Sequence, residues 1–356
     1  MKIERTRYYS YKIGNLAKGC QYCVKGSKLV LFITGLCPRK CYYCPISDKK
    51  HNKDITYADE WPINDVDEIL QEAKLISAEG AGLTGGDPLA RLERTTSYIK
   101  ALKRQFGIKF HIHLYTSFDL VNENSLKQLY KAGLDEIRFH ADIDSSKLWN
   151  KIELAKKFDW DIGIEIPVIP NKKKQIKNLI DYFNDKIDFL NLNELEFADN
   201  QFSRLPSSFK TKDNLSYAVK GSEQLALELL NYIKKQYPKL NTHYCTAKLK
   251  DKVQLAKRIK RRAKNIAKDY DIIDKEGLLI RGAIYCNNLL KIKKQLIKEF
   301  KIPNSLIEID KRRNRILTGA WIVSKLKKEL KEKKLKIAIV KEYPTFDCLN
   351  IVTDFL

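Results

Sequence analysis

Short β-branched apolar runs alternate with amphipathic stretches over the first 200 residues of the chain. Leu29–Gly35, Ala81–Thr84, Phe110–Thr116, Glu136–Ala141, Asp161–Val168 and Phe189–Glu196 read as buried strands. Between the first two, Asn64–Glu79 sets Val66, Ile69, Leu70, Ala73 and Ile76 at helical spacing. Thr95–Phe106, Ser145–Phe158 and Lys173–Phe183 continue the helical set. Asn122–Ala132 opens on Asn and closes before Gly133, residue types that cap the two ends of a helix. Strands alternating with helices predict an α/β fold around a parallel sheet with right-handed crossovers.

Beyond residue 200 the texture changes. The loop Arg204–Ser208 and a helix near Ser222–Lys235 are placed to cover the open side of the sheet. Lys248–Lys268 carries Leu255, Ile259, Ala263 and Ile266 on one face, with ten Lys or Arg against two acids over residues 246–269. It reads as a helix that docks one face and shows a cationic one. From about residue 270, strands at Leu279–Ile284, Ser305–Ile309, Lys336–Val340 and Asn350–Thr353 accompany helices at Asn288–Phe300 and Ala320–Lys333. These predict a small α+β accessory domain.

Chemistry enters at the end of the first strand. Gly35-Leu36-Cys37-Pro38-Arg39-Lys40-Cys41-Tyr42-Tyr43-Cys44-Pro45 places three cysteines as Cys-x3-Cys-x2-Cys on a loop. In parallel α/β folds that is the end where ligands bind. Thiolates select zinc, Cu(I) or iron–sulfur. A zinc site asks for a fourth ligand, whereas a cubane held by three cysteines leaves one iron open. At the end of the second strand, Thr84-Gly85-Gly86-Asp87-Pro88 is a turn whose glycines let backbone approach a ligand closely.

The cysteine spacing resembles the signature of the radical S-adenosylmethionine (SAM) superfamily, and the second stretch is similar to that family's Gly-Gly-Glu-Pro motif, with Asp87 in place of Glu. The resemblance covers roughly residues 29–200. It implies a partial (β/α)6 barrel, with Cys37, Cys41 and Cys44 holding a [4Fe-4S] cluster whose open iron is chelated by SAM. It further implies that Gly85, Gly86 and Asp87 receive the amino group of SAM on backbone and that Tyr43 packs the adenine. Thr116 and the fourth-strand residues would meet the ribose or carboxylate, and Glu165 is the polar member of a looser fifth-strand motif. His140 and Glu196 are candidates on the substrate side. The implied chemistry is reductive cleavage of SAM to a 5′-deoxyadenosyl radical that abstracts hydrogen from substrate, with electrons from a ferredoxin- or flavodoxin-type donor. Within the superfamily the chain is most similar to archaeal proteins related to pyruvate formate-lyase activating enzymes. Activating enzymes usually lack a basic C-terminal domain, and the resemblance transfers no substrate. The expected division is residues 1–28 as an N-terminal segment, 29–200 as the barrel, 201–269 as a covering and basic region, and 270–356 as the accessory domain.

Other polar residues leave alternatives open. Cys20 and Cys23 form a Cys-x2-Cys pair, half of a zinc or iron–sulfur site. With Cys245 and His243 they make a candidate second metal site; otherwise they are buried, inert thiols. His111 and His113 share a strand face and read as barrel-lining histidines rather than a metal pair. Cys286 and Cys348 carry no ligand role. The start of the chain lacks an apolar signal segment, and no apolar run reaches the ~18 residues of a membrane span. With eight cysteines and no secretion signal, metal binding in an anoxic cytoplasm is expected rather than disulfides. The net charge of +23 fits a polyanionic partner, tRNA or rRNA through the basic C-terminal region, or a lysine-rich composition bias. The substrate is therefore RNA, a protein or a small metabolite, against the alternative of a zinc- or iron–sulfur-stabilised nucleic-acid-binding protein without catalysis.

Overall fold

The structure, a computed structural model, describes residues 1–356 apart from Asp199, Phe202, Asn214 and Leu215. Asp199 and Phe202, which flank the expected boundary at residue 200, lie outside the described residues. The chain divides into two units: Met1–Lys74 with Ala78–Leu255, and Leu75–Ser77 with Ala256–Leu356. The division thus falls at Leu255, inside the expected basic helix.

The first unit is built on one eleven-stranded sheet. Its strands are β1 (Ile3–Arg5), β2 (Tyr11–Ile13), β3 (Lys28–Phe32), β4 (Thr56–Ala58), β5 (Trp61–Ile63), β6 (Gly80–Thr84), β7 (His111–Thr116), β8 (Glu136–Phe139), β9 (Asp161–Val168), β10 (Phe189–Glu194) and β11 (Asn241–Cys245). The spatial order is β1-β2-β11-β10-β9-β8-β7-β6-β3-β4-β5. All neighbours from β3 through β11 pair in parallel. Antiparallel β2 and β4 close the two flanks. The six expected parallel strands are present, and β11 adds a seventh. This is a partial α/β barrel.

The helices are α1 (Lys18–Lys25), α2 (Val66–Leu75), α3 (Leu92–Phe106), α4 (Glu123–Ala132), α5 (Ile152–Ala155), α6 (Lys173–Phe183), α7 (Ser222–Gln236) and α8 (Ala247–Leu249). Local chemistry sets their ends. Asn122 Oδ1 accepts from the Ser125 amide at 2.9 Å while Ser125 Oγ accepts from the Asn122 amide at 3.0 Å, a reciprocal cap at the start of α4. The expected helix Ser145–Phe158 is reduced to a tight turn at Trp149–Lys151 followed by the one-turn α5. Neither piece has a side-chain cap, and two indoles hold the bend instead: Trp149 Nε1 donates to the Asp142 carbonyl and Trp160 Nε1 to that of Ala155. The expected helix Lys248–Lys268 is also broken, by a π-helical turn at Lys250–Leu255. That wider turn shifts the phase of the apolar stripe, so Leu255 is exposed while Ile259 and Ala263 are buried.

The second unit opens with α9 (Ala256–Ile266) and contains β12 (Ile272–Ile273), β13 (Leu279–Tyr285), α10 (Leu289–Phe300), β14 (Ile307–Asp310), β15 (Arg315–Thr318), α11 (Ala320–Lys325), α12 (Lys327–Glu332), β16 (Lys336–Glu342) and β17 (Asn350–Phe355). Its antiparallel sheet runs β14-β15-β13-β16-β17, with β12 on β13. Ile284, Leu296, Ile316, Val323, Leu330 and Ile337 form its main core cluster. Each such side chain contributes about 1.5–3 kcal/mol by leaving water. Among the described residues, no helix of either unit is long and apolar enough to cross a membrane.

Candidate active site

The cysteine loop leaves β3 and is tied at its base by backbone. The Gly35 amide donates to the Lys53 carbonyl and the Asn52 amide to that of Gly35. Beneath it, Asp54 accepts from Thr34 Oγ1 at 2.9 Å, from Arg91 at 2.8 Å and from Arg94 at 2.6 Å. These donors hold the Asp54 carboxyl well below the usual carboxylate range.

The Gly-Gly-Asp turn packs directly on this loop. The amides of Gly86 and Asp87 donate to the carbonyls of Thr34 and Leu36, both at 2.8 Å. A Cβ on Gly85 would meet the Thr34 carbonyl oxygen at 2.4 Å, and its φ of +144° disfavours side chains in any case. A Cβ on Gly86 would meet that of Leu36 at 2.3 Å. Only glycine lets these backbones meet.

Asp87 is fully buried and completely used. Its Oδ1 accepts from the Leu89 amide at 3.0 Å and Thr116 Oγ1 at 2.8 Å, and its Oδ2 from the Ser117 amide at 3.1 Å and Ser117 Oγ at 2.7 Å. Burial raises its pKa even against these four donors. The Asp87 side chain fastens the turn to the end of β7, and Thr116, expected to meet SAM, gives its hydroxyl to Asp87. Ser117, the next residue along, completes the set.

A second fastening crosses from the cysteine loop to β8. Tyr43 Oη lies 3.0 Å from His140 Nε2, and His140 Nδ1 lies 3.0 Å from the Glu165 carbonyl oxygen. The carbonyl can only accept, so Nδ1 carries the proton and Nε2 accepts from Tyr43. Burial, followed by the Arg39 charge, lowers the His140 pKa to about 4 and keeps this neutral tautomer. Arg39 itself donates to the His140 carbonyl at 2.8 Å and pairs with Asp142 at 3.1 Å. Burial raises the thiols of all three loop cysteines, Cys37 to about 11. A metal would have to supply the positive charge that makes them thiolates.

Below the rim, inward-facing positions of neighbouring strands carry an unbroken polar network. Arg138 pairs with Glu136 and, at 2.8 Å, with Glu165; it also donates to Tyr115 Oη at 3.1 Å. Glu165 further accepts from Asn191 at 2.8 Å and Asn193 at 2.9 Å. Against the cost of burial, Arg138 and these amides hold Glu165 ionised. Glu165 is thus placed in the lumen, as a partner of Arg138. Glu196 pairs with Lys250.

His111, His113 and Glu136 bring ligand-type atoms within 4.8 Å of one another, the only such set of three or more among the described residues. Lys28 Nζ stands 2.6 Å from His113 Nε2, and Arg138 holds Glu136. Two cations therefore stand beside this set. The network was legible as a period of two: His111-x-His113-x-Tyr115, Glu136-x-Arg138-x-His140 and Asn191-x-Asn193.

The helix α1 carries the Cys-x2-Cys pair into this lumen. The Gly19 amide donates to Glu136 Oε2 at 2.9 Å. Cys20 Sγ lies 3.3 Å from Asn191 Nδ2 and 3.5 Å from Arg138 Nη2. Cys245 packs with Val24 of α1. His243 is 2% exposed with neither ring nitrogen hydrogen-bonded. Cys20, Cys23, Cys245 and His243 do not gather to single-ion spacing, and neither do Cys37, Cys41 and Cys44.

Comparisons with known proteins cover these same residues. The profile of the radical SAM superfamily matches residues 31–183, and that of a domain of unknown function matches residues 277–352. A protein of Methanocaldococcus jannaschii, whose name proposes it as a glycyl-radical enzyme activating enzyme, is 40% identical over 368 residues, spanning 99% of this chain and 96% of its own length. Biotin synthase of Pasteurella multocida is 31% identical over 139 residues, 37% of this chain and 38% of its own length. The crystal structure of methylornithine synthase aligns with a TM-score of 0.42 at 14% identity, over 60% of this chain and 63% of its own. A cysteine loop at the mouth of a parallel barrel, a glycine turn seated on it and a full-length relative lead to one conclusion: the chain belongs to the radical SAM superfamily, enzymes that bind a [4Fe-4S] cluster and SAM.

Proposed function

We propose that Cys37, Cys41 and Cys44 hold the [4Fe-4S] cluster and that this enzyme acts on a protein, as an activating enzyme that takes a hydrogen atom from a glycyl residue. The observation that carries the substrate reading is the M. jannaschii relative, which matches the accessory domain as well as the barrel. The basic C-terminal region therefore does not set this chain apart from that proposed activating enzyme. Lys257, Arg258, Arg261 and Arg262 of the cationic helix all have partners, Arg262 at the Pro344 carbonyl among them, which weakens the case for an RNA-binding face.

The donor set fits the group. Three thiols on one loop are soft ligands, and the glycine turn leaves bare backbone beside them. When bound, cluster and SAM supply the reductive cleavage that yields a 5′-deoxyadenosyl radical. The chain's own residues orient and enclose. Gly85 and Gly86 present backbone to the amino group of SAM, while Asp87, Thr116 and Ser117 keep that turn rigid from behind. Tyr43, held by His140, forms a wall of the adenine site. Glu165, Asn191 and Asn193 close the lumen below as one hydrogen-bonded set.

The test uses reduced, reconstituted enzyme with SAM and an anaerobic extract of source cells grown on α-deuterated glycine. Deuterium should pass into 5′-deoxyadenosine, and protease treatment of the extract should abolish the transfer. Transfer lost on ribonuclease treatment but kept after protease would place the substrate with RNA. Transfer that survives both would place it among small metabolites.

A further inference from the structure

We infer that Cys20, Cys23 and Cys245, with His243, hold a second iron–sulfur cluster in the barrel lumen, separate from the cysteine loop. The fold assembles these residues from the two ends of the first unit. Cys20 and Cys23 stand three apart on α1, so they share a helix face. Cys245 ends β11, and His243 points the same way two residues earlier. Cys20 and Cys23 both lie within electrostatic reach of Cys245 and of each other. His243 supplies the independent sign. It is buried, and both ring nitrogens lack a hydrogen-bond partner. Buried polar atoms are nearly always satisfied, so an imidazole with two free nitrogens points to a missing ligand.

Burial raises the Cys20 and Cys245 thiols, as it does those of the cysteine loop, so bound iron would have to make them thiolates, and N–H donors already face them. Asn191 Nδ2 and Arg138 Nη2 aim at Cys20 Sγ from 3.3 and 3.5 Å, and Gln254 Nε2 reaches Cys245 Sγ at 3.9 Å. N–H donors and cations directed at cysteine sulfur stabilise a thiolate ligand. Lys250 adds positive charge near Cys245.

Spacing selects a cluster over a single ion. Zinc with bonds of about 2.0–2.3 Å draws its ligand atoms to within about 4 Å of one another. These four residues are more widely spread, as are Cys37, Cys41 and Cys44. A polynuclear cluster accepts that spread because each cysteine binds its own iron. Such a cluster would tie the N-terminal helix to the last parallel strand.

The experiment counts iron, sulfide and zinc in the full chain after anaerobic reconstitution, with electron paramagnetic resonance of the reduced protein with and without SAM. Wild type should carry about eight irons per chain and C20A/C23A about four. C37A/C41A/C44A should keep about four irons whose signal SAM does not alter. Should C20A/C23A lose its native circular dichroism, Cys245→Ala carries the same expectation. About four irons in wild type, all lost in C37A/C41A/C44A, would overturn the inference. So would one zinc per chain that C20A/C23A releases. Wild type with four irons that still makes 5′-deoxyadenosine would overturn this cluster alone and leave the proposed function standing.

Discussion

The barrel contains two sets of three cysteines, and they are built in opposite ways. Cys37, Cys41 and Cys44 lie on one exposed-edge loop, fastened by backbone hydrogen bonds and by the Gly85–Asp87 turn. Cys20, Cys23 and Cys245 come from a helix and a distant strand, with Cys20 set against the buried charge of Arg138. The first set sits where a small molecule can reach it. The second sits where only the fold holds it together. A loop can present an open iron to SAM; a lumen set pinned between helix and strand suits a closed centre.

Removing the loop set breaks the comparison most sharply. Cys37→Ala, Cys41→Ala or Cys44→Ala should each reduce 5′-deoxyadenosine formation to background and lower iron by about four per chain, read by chromatography and metal analysis. The fold should survive, because these side chains sit on a loop outside the apolar core.

Glu136 tests the other set. It anchors α1 through the Gly19 amide and holds Arg138, which faces Cys20. Glu136→Gln leaves Arg138 partly unpaired in the lumen and should cost about 3–5 kcal/mol by chemical denaturation. It should also change the pH profile. Despite burial, Arg138 and His111 hold Glu136 down to about 2, well below the usual carboxylate range. A depressed carboxyl contributes stability above the unfolded value and loses it as pH falls through the folded one. Wild type should therefore lose stability between about pH 4.5 and 2, and Glu136→Gln should show a shallower loss there.

These two predictions also mark what was legible. The loop set lies within a few residues and can be read without the fold. The partnership inferred for Cys20 and Cys23 with Cys245 cannot be read that way. It depends on β11, and Asn241-Thr242-His243-Tyr244-Cys245 is too polar to stand out as a strand. It becomes one because β10 and β2 flank it on both sides. The six other parallel strands carried their own apolar signal. A strand-end hydroxyl such as that of Thr116 looks the same from sequence whether it faces a ligand or a buried carboxylate. The helix expected at Ser145–Phe158 gives way to a bend held by the Trp149 and Trp160 indoles, contacts that spacing alone does not reveal.

Smaller changes sharpen the rim. Gly85→Ala forces a side chain onto a φ of +144° and against the Thr34 carbonyl. It should cost about 1–3 kcal/mol and raise the KM for SAM, with Glu136-dependent acid stability unchanged. Tyr43→Phe removes the hydroxyl that bonds His140 and also reaches the Cys41 thiol. It should cost about 0.5–1.5 kcal/mol and weaken SAM binding a few-fold while iron content stays at the wild-type value.

The central claim is that the Cys37 loop, with its glycine turn, is the place where SAM is cleaved. The most direct measurement is anaerobic reconstitution with iron and sulfide, reduction by dithionite and a search for 5′-deoxyadenosine, run beside Cys41→Ala. The account predicts 5′-deoxyadenosine from wild type and none from the variant. Intact SAM in the wild-type sample, or equal cleavage by Cys41→Ala, would contradict it.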